Sequence, residues 1–286
     1  MNTYNGVIAI SFAIFMPFSV SDRPALLQLW FAGPALQVEY DPQALTAEDR
    51  ARQAARLAAR KANEWRVSRA LQRRLRGPCQ SSSLSHSAGH ALWAASALHG
   101  QIGVDLERLR PLDELALAKL IAHDDEKLLL HRLQGQDRTR FFFRLWTLKE
   151  ALVKAVGGDF PADMLRVGLR QGSSRHAEPV KATAMVDGAL PMDVARAVGG
   201  RGVAPSGAPA RQDPSWHLTG LGEWQWHGLS AMIGPSWMMA VVWSGESRST
   251  QAPPLRILAT EAVPGEARPL RLEQPVAFGV MPTIET

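Results

Sequence analysis

Residues 140–156 repeat their apolar side chains at three- and four-residue spacing, through Phe141, Leu145, Leu148, Leu152 and Val153. That period predicts one long amphipathic helix, and such a helix must lay its apolar stripe against something. The neighbouring segments offer strands for it: Gln101 to Leu106 before it, Leu229–Ile233 and Met238–Trp243 after it. Leu27 to Phe31 reads as a first strand, Thr46 to about Arg76 as helical, and residues 113–133 as helical again. Ala91 to Leu98 fits a strand or a short buried helix. Helices and strands interleave along the chain, which predicts an α+β or mixed α/β fold.

With 286 residues, 46% of them hydrophobic and 21% charged, the chain has the composition of a globular protein with a sizeable core, which excludes disordered and collagen-like classes. The single cysteine, Cys79, excludes an internal disulfide and a multi-cysteine zinc site, and fits a reducing, cytoplasmic setting. Residues 6–20 form an apolar run of 15, shorter than the roughly 20 residues a membrane span needs. No Lys or Arg precedes the run, so residues 1–20 are read as a leader from a misplaced start, with translation beginning at Met16 and no membrane partner. The rest divides into an N-terminal half, 21–98, and a C-terminal half, 99–245, the latter with a Gly-, Pro- and Ser-rich long loop at 171–222. Residues 246–286, with six prolines, are expected to be a loosely ordered tail.

The formal charge is +5 and the isoelectric point about 9.8, which points to an anionic partner only if the charge is localised. Between Arg50 and Arg76 there are ten Lys or Arg and one acid, Glu64. Two readings stay open for that stretch: a solvated helix face, or a wall that faces phosphate.

Three motifs carry chemistry. In Gly103-Val104-Asp105-Leu106-Glu107, strand alternation puts Asp105 and Glu107 on one face and Val104 and Leu106 in the core. Two carboxylates side by side suit a hard divalent cation such as Mg²⁺, although an isolated pair is far more often two solvated acids on a half-exposed strand. In Trp146-Thr147-Leu148-Lys149-Glu150-Ala151-Leu152-Val153-Lys154, Glu150 and Lys154 are four apart and share a helix face. Ser83-Leu84-Ser85-His86-Ser87-Ala88-Gly89-His90 reads as a polar turn able to hold a phosphate or take a proton. His86 and His90 have the i,i+4 spacing of zinc proteases but lack the glutamate of that motif, and no Gly-x-Ser-x-Gly elbow marks a serine hydrolase.

In order and spacing, these three motifs together resemble the 4′-phosphopantetheinyl transferase superfamily, most closely its Sfp-type members. The resemblance implies a fold of two pseudo-symmetric α/β halves in one chain. It implies transfer of the phosphopantetheine arm of coenzyme A to a serine of an apo acyl, peptidyl or aryl carrier protein, with release of adenosine 3′,5′-bisphosphate. By the same resemblance, Asp105, Glu107 and Glu150 are metal ligands for Mg²⁺, with Mn²⁺ as the alternative ion, and Glu150 and Lys154 are catalytic. Arg69, Arg76, Ser85, His86 and Lys149 are implied contacts to coenzyme A, with Arg69 on its 3′-phosphate. Glu126 is a further acid expected near the metal, and 113–133 is expected near the docked carrier. Relatives commonly carry Gly-Lys-Pro before the Ser-His-Ser motif and a Gly-x-Gly-Leu turn after the final lysine. Here Arg76-Gly77-Pro78-Cys79 and Gly157-Gly158-Asp159-Phe160 stand in those places.

Two other readings use the same residues. A metal-dependent phosphohydrolase would employ the acids without a carrier protein. A basic nucleic-acid-binding module would use the arginine-rich stretch, but the acids repel a phosphate backbone unless metal is present, so no nucleic-acid partner is expected. A single chain with two halves is expected to act as a monomer.

Overall fold

The computed structural model describes residues 26–56, 62–75, 79, 81–96, 100–171, 216–221, 224–244, 256–278 and 283–285. The apolar leader, most of the long loop at 171–222 and the candidate Arg76 lie outside the described residues. β1 (Leu26–Ala32) leads through two short 3-10 turns to α1 (Ala47–Arg56) and α2 (Ala62–Arg74). A hairpin of β2 (Ser81–Ser87) and β3 (His90–Ser96) follows, then β4 (Ile102–Arg108). Next come α3 (Glu114–Ile121), α4 (Asp124–Arg132) and the long α5 (Gly135–Ala155). The chain continues with β5 (Gly168–Gln171), β6 (Trp216–Thr219), β7 (Trp226–Ile233) and β8 (Trp237–Ser244). It returns as β9 (Arg256–Val263), β10 (Glu266–Pro269), β11 (Glu273–Phe278) and β12 (Thr283–Glu285).

Two sheets pack face to face. The first has the order β10-β9-β1-β3-β2, with β12 also beside β9, and the second β11-β7-β8-β4. Alternation sends Leu27, Leu29 and Leu92 of one sheet and Val104, Leu106 and Val241 of the other into a shared core. Each such side chain, fully buried, contributes about 1.5–3 kcal/mol of transfer free energy. α2 covers the outer face of the first sheet through Val67, Ala70 and Leu71, and α5 covers that of the second through Leu145, Leu148 and Leu152. The result is an α+β fold, the class its interleaved periods predict. Among the described residues, no helix is long and apolar enough to cross a membrane.

Two expectations are corrected here. Ser83 to Ser87 is not a turn but lies on β2, paired with β3 in the register Ser85↔Leu92. Residues 256–278 are not a loose tail: β9 runs parallel to β1, Leu26↔Arg256 to Ala32↔Ala262, and buries Ile257 and Ala259 in the core. The three described prolines of this segment occupy positions that tolerate them. Pro264 follows β9 in the turn, Pro269 ends β10, and Pro275 falls within the register shift of the edge strand β11.

Of the described glycines, the one with least room is Gly103 of β4, where an added Cβ would lie 1.9 Å from the Ala151 carbonyl oxygen of α5. Gly103→Ala is therefore expected to push α5 off β4 and to cost about 1–3 kcal/mol or more, the range for overpacking. Chemical denaturation of the purified variant measures this; a variant as stable as the parent would refute the contact.

Candidate active site

β2 and β4 are edge strands of different sheets, and they meet along a seam of serines. Alternation points Ser83, Ser85 and Ser87 of β2 toward β4. Ser83 Oγ accepts from the Val104 N–H (3.1 Å), Ser85 Oγ donates to Asp105 Oδ1 (2.7 Å), and Ser87 Oγ donates to Glu107 Oε2 (3.1 Å). One backbone N–H on the edge of β4, that of Val104, is thus satisfied by a side chain of the neighbouring sheet, and the other two serines bond to carboxylates.

α5 lies over this seam, held close by Gly103, and adds Glu150 and Lys154. One carboxylate oxygen each from Asp105, Glu107 and Glu150 falls within 4.8 Å of the others. Lys154 Nζ donates to Asp105 Oδ1 (2.7 Å), to Glu150 Oε1 (3.1 Å) and to Ser85 Oγ (3.0 Å). The Trp146 indole N–H donates to Glu150 Oε2 (3.1 Å), and Trp146 in turn packs edge-on against the exposed ring of Phe160.

One ammonium thus faces three carboxylates, and the proton affinities reflect the deficit. Burial, then the charges of Asp105 and Glu150, push the Glu107 carboxyl up to about 7. Glu150 is likewise raised, by burial first and Asp105 second. Burial alone would lower Lys154, but Asp105 and Glu150 outweigh it and hold the ammonium above its ordinary value. Asp105 is 1% exposed, and its Oδ2 has no hydrogen-bond partner among the described residues. A buried orphan oxygen beside two further carboxylates suits a hard divalent cation with oxygen ligands, and fits Mg²⁺ or Mn²⁺.

A cavity of about 560 Å³ opens beside Glu107, lined also by Glu64, His86, Ser87, Arg108 and Arg110. His86 is partly exposed there, its Nδ1 3.4 Å from the Glu64 carboxylate, and burial lowers its proton affinity. Ser85, expected as a contact to coenzyme A, is instead buried, with its hydroxyl committed to Asp105 and Lys154. It props the carboxylate cluster, while Ser87 lines the cavity. Arg69 is bound to Asp49 and stacked 4.4 Å over the Trp65 ring; burial, only partly offset by Asp49, lowers its proton affinity.

Lys149 is corrected outright as a contact to phosphate. Its side chain is fully buried, with Nζ 2.9 Å from Glu126 Oε2 and donating to the carbonyls of Ile121 (2.6 Å), Met164 (3.0 Å) and Val167 (2.8 Å). Glu126, expected near the metal, instead accepts from Lys149 and from the His123 and Leu169 N–H groups. The one-residue step from Glu150 to Lys149 turns the side chain about 100° around α5, into the core. Burial acts against both charges, lowering Lys149 and raising Glu126, and the attraction between the two together with their hydrogen bonds opposes it.

Sequence reasoning missed the serine seam, the Trp146 bond to Glu150 and the acidic partners Glu64 and Asp49. The seam alone left a signal, the alternation Ser83-x-Ser85-x-Ser87.

Residues 101–185 match the model of the 4′-phosphopantetheinyl transferase superfamily. Among curated proteins, the chain is similar to the 4′-phosphopantetheinyl transferase HetI of a Nostoc species, 46% identical over 76 residues that make up 26% of this chain and 32% of that protein. It is also similar to the 4′-phosphopantetheinyl transferase psf-1 of Bacillus pumilus, 31% over 102 residues, or 35% of this chain and 40% of that one. The 4′-phosphopantetheinyl transferase Sfp of Bacillus subtilis is 32% identical over 92 residues, or 31% and 39%. The matched part thus spans 32% to 40% of the length of these relatives.

Lys149→Met would strand the Glu126 carboxylate in the core, and breaking a buried pair this way costs about 3–5 kcal/mol. Denaturant titration should show that loss, and adding Glu126→Gln should recover part of it. Full stability of the single variant would contradict the buried pair.

Proposed function

We propose, for a chain whose residues 101–185 match the model of the 4′-phosphopantetheinyl transferase superfamily, that it transfers the phosphopantetheine arm of coenzyme A to a serine of an apo carrier protein. The observation that carries this reading is the Asp105, Glu107 and Glu150 cluster, with Lys154 bonded into it and a cavity alongside.

Asp105, Glu107 and Glu150 would hold a Mg²⁺ ion, which when bound neutralises phosphate charge and orients the pyrophosphate. Glu150, its proton affinity raised, takes the proton of the incoming serine hydroxyl. Trp146 and Lys154 fix the two oxygens of that carboxylate, so its orientation is set before substrate arrives. The serine oxygen bonds to phosphorus as the bridging bond to adenosine 3′,5′-bisphosphate breaks. Lys154, 31% exposed at its side chain, can offer positive charge to the phosphate oxygens as they gain it. His86 and Ser87 face the nucleotide end of the ligand in the cavity.

The test is intact mass spectrometry of an apo carrier protein incubated with the chain, coenzyme A and Mg²⁺. A gain of one phosphopantetheine mass is expected, abolished by EDTA. Asp105→Ala and Glu150→Gln should each lose transfer by at least about 100-fold while circular dichroism stays unchanged. Full activity of either variant would remove the metal assignment; coenzyme A consumed with no carrier shift would favour a phosphohydrolase.

A further inference from the structure

Each carboxylate of the cluster accepts a hydrogen bond from a neutral donor on one of its oxygens. Asp105 Oδ1 takes the Ser85 hydroxyl (2.7 Å), Glu107 Oε2 the Ser87 hydroxyl (3.1 Å) and Glu150 Oε2 the Trp146 indole N–H (3.1 Å). A neutral donor fixes the direction of a carboxylate without cancelling its charge, so the acid keeps its attraction for a cation. Glu126 is the contrast, since the buried ammonium of Lys149 answers its charge directly. Asp105 is 1% exposed, and with Oδ1 held its other oxygen, Oδ2, has no hydrogen-bond partner among the described residues.

Trp146 shares α5 with the acid it holds, whereas the serines reach across from another sheet. Ser85 and Ser87 stand on β2, at the edge of the first sheet, and their acids on β4, at the edge of the second. Ser85 Oγ accepts from Lys154 Nζ (3.0 Å), which directs its own proton to Asp105. Ser83, on the same face of β2, instead accepts from the Val104 N–H (3.1 Å). We propose that Ser85 and Ser87 are positioning residues: hydroxyls of one sheet hold the ligand carboxylates of the other, and so set the affinity for a divalent cation without being ligands themselves. This rests on the reading of Asp105, Glu107 and Glu150 as ligands for Mg²⁺. It makes the ion site a property of the contact between two sheets, where packing along the seam and metal binding support each other.

The experiment measures Mn²⁺ binding to the full chain by electron paramagnetic resonance of the free ion, with neither coenzyme A nor carrier present. Ser85→Ala and Ser87→Ala should each weaken binding by about tenfold or more, the range for partners that orient metal ligands. Ser83→Ala, which removes a seam hydroxyl bonded to the main chain, should stay within about threefold of the parent, as should Ser87→Thr, which restores a hydroxyl beside the cavity. Both alanine variants binding like the parent overturn the proposal while the metal reading stands. So does Ser83→Ala weakening binding as much as they do, because the seam then acts only as scaffold. If Ser85→Ala fails to fold, Ser87→Ala and its threonine counterpart decide the matter alone. Asp105→Ala should abolish binding; a parent that binds no Mn²⁺, or whose binding survives that change, brings down the metal reading and this proposal with it.

Discussion

Backbone contact between α5 and β4 sets the distances at which the candidate site works. Gly103 has only hydrogen to place beneath the Ala151 carbonyl, so strand and helix approach more closely than two side-chain-bearing surfaces can. Asp105 lies two residues along β4 from that contact, and Glu150 precedes Ala151 on α5. The carboxylates are therefore held together by packing of the main chain, against their mutual repulsion. The leucines that bury α5 supply the free energy for this, since the charges themselves oppose it.

The same helix shows two ways of handling charge. On its core side, Lys149 meets one carboxylate and three carbonyl oxygens, so the protein satisfies the ammonium completely. On its seam side, Lys154 meets two of three carboxylates, and Asp105 Oδ2 keeps no partner among the described residues. A closed network of this kind rigidifies, while one short of positive charge is set up to take a cation from solution. Adjacent residues Lys149 and Glu150 thus serve a structural and a chemical end, separated only by their rotation around the helix.

That distinction explains what was legible in the sequence. Asp105 with Glu107, and Glu150 with Lys154, were readable because strand and helix periods place each pair on one face with no tertiary information. The long helix and the strands around it were readable for the same reason. The direction of Lys149 was not, because a lone lysine beside a glutamate carries no mark of the buried acid, Glu126, that waits some twenty residues earlier in another helix. β9 was hidden by composition: its parallel pairing with a strand more than two hundred residues away has no local signature, and the prolines flanking it, one of them in the turn to β10, suggested disorder. Ser85 was misread because a small polar motif looks alike in a turn and on an edge strand whose hydroxyls satisfy a neighbouring edge.

The basic stretch makes the related point about charge. A count of cations between Arg50 and Arg76 suggests a wall for phosphate, but a helix distributes its side chains around a full circle, and arginines reach toward whatever acids lie near. Asp41, Glu48 and Asp49 precede or begin α1, and together with Glu39 they engage Arg73, Arg52, Arg69 and Arg74. These pairs hold the first helices to one another and to the turn before them, and they spend the charge on cohesion. Among the described residues, α2 gives the cavity Glu64, whose sign is opposite to the average of its surroundings, while Arg108 and Arg110 line it from β4 and the segment after it. Net charge describes how a chain behaves at a distance; at contact range the placement of individual charges of both signs, here Glu64 and Glu107 with Arg108 and Arg110, describes the cavity better than the total.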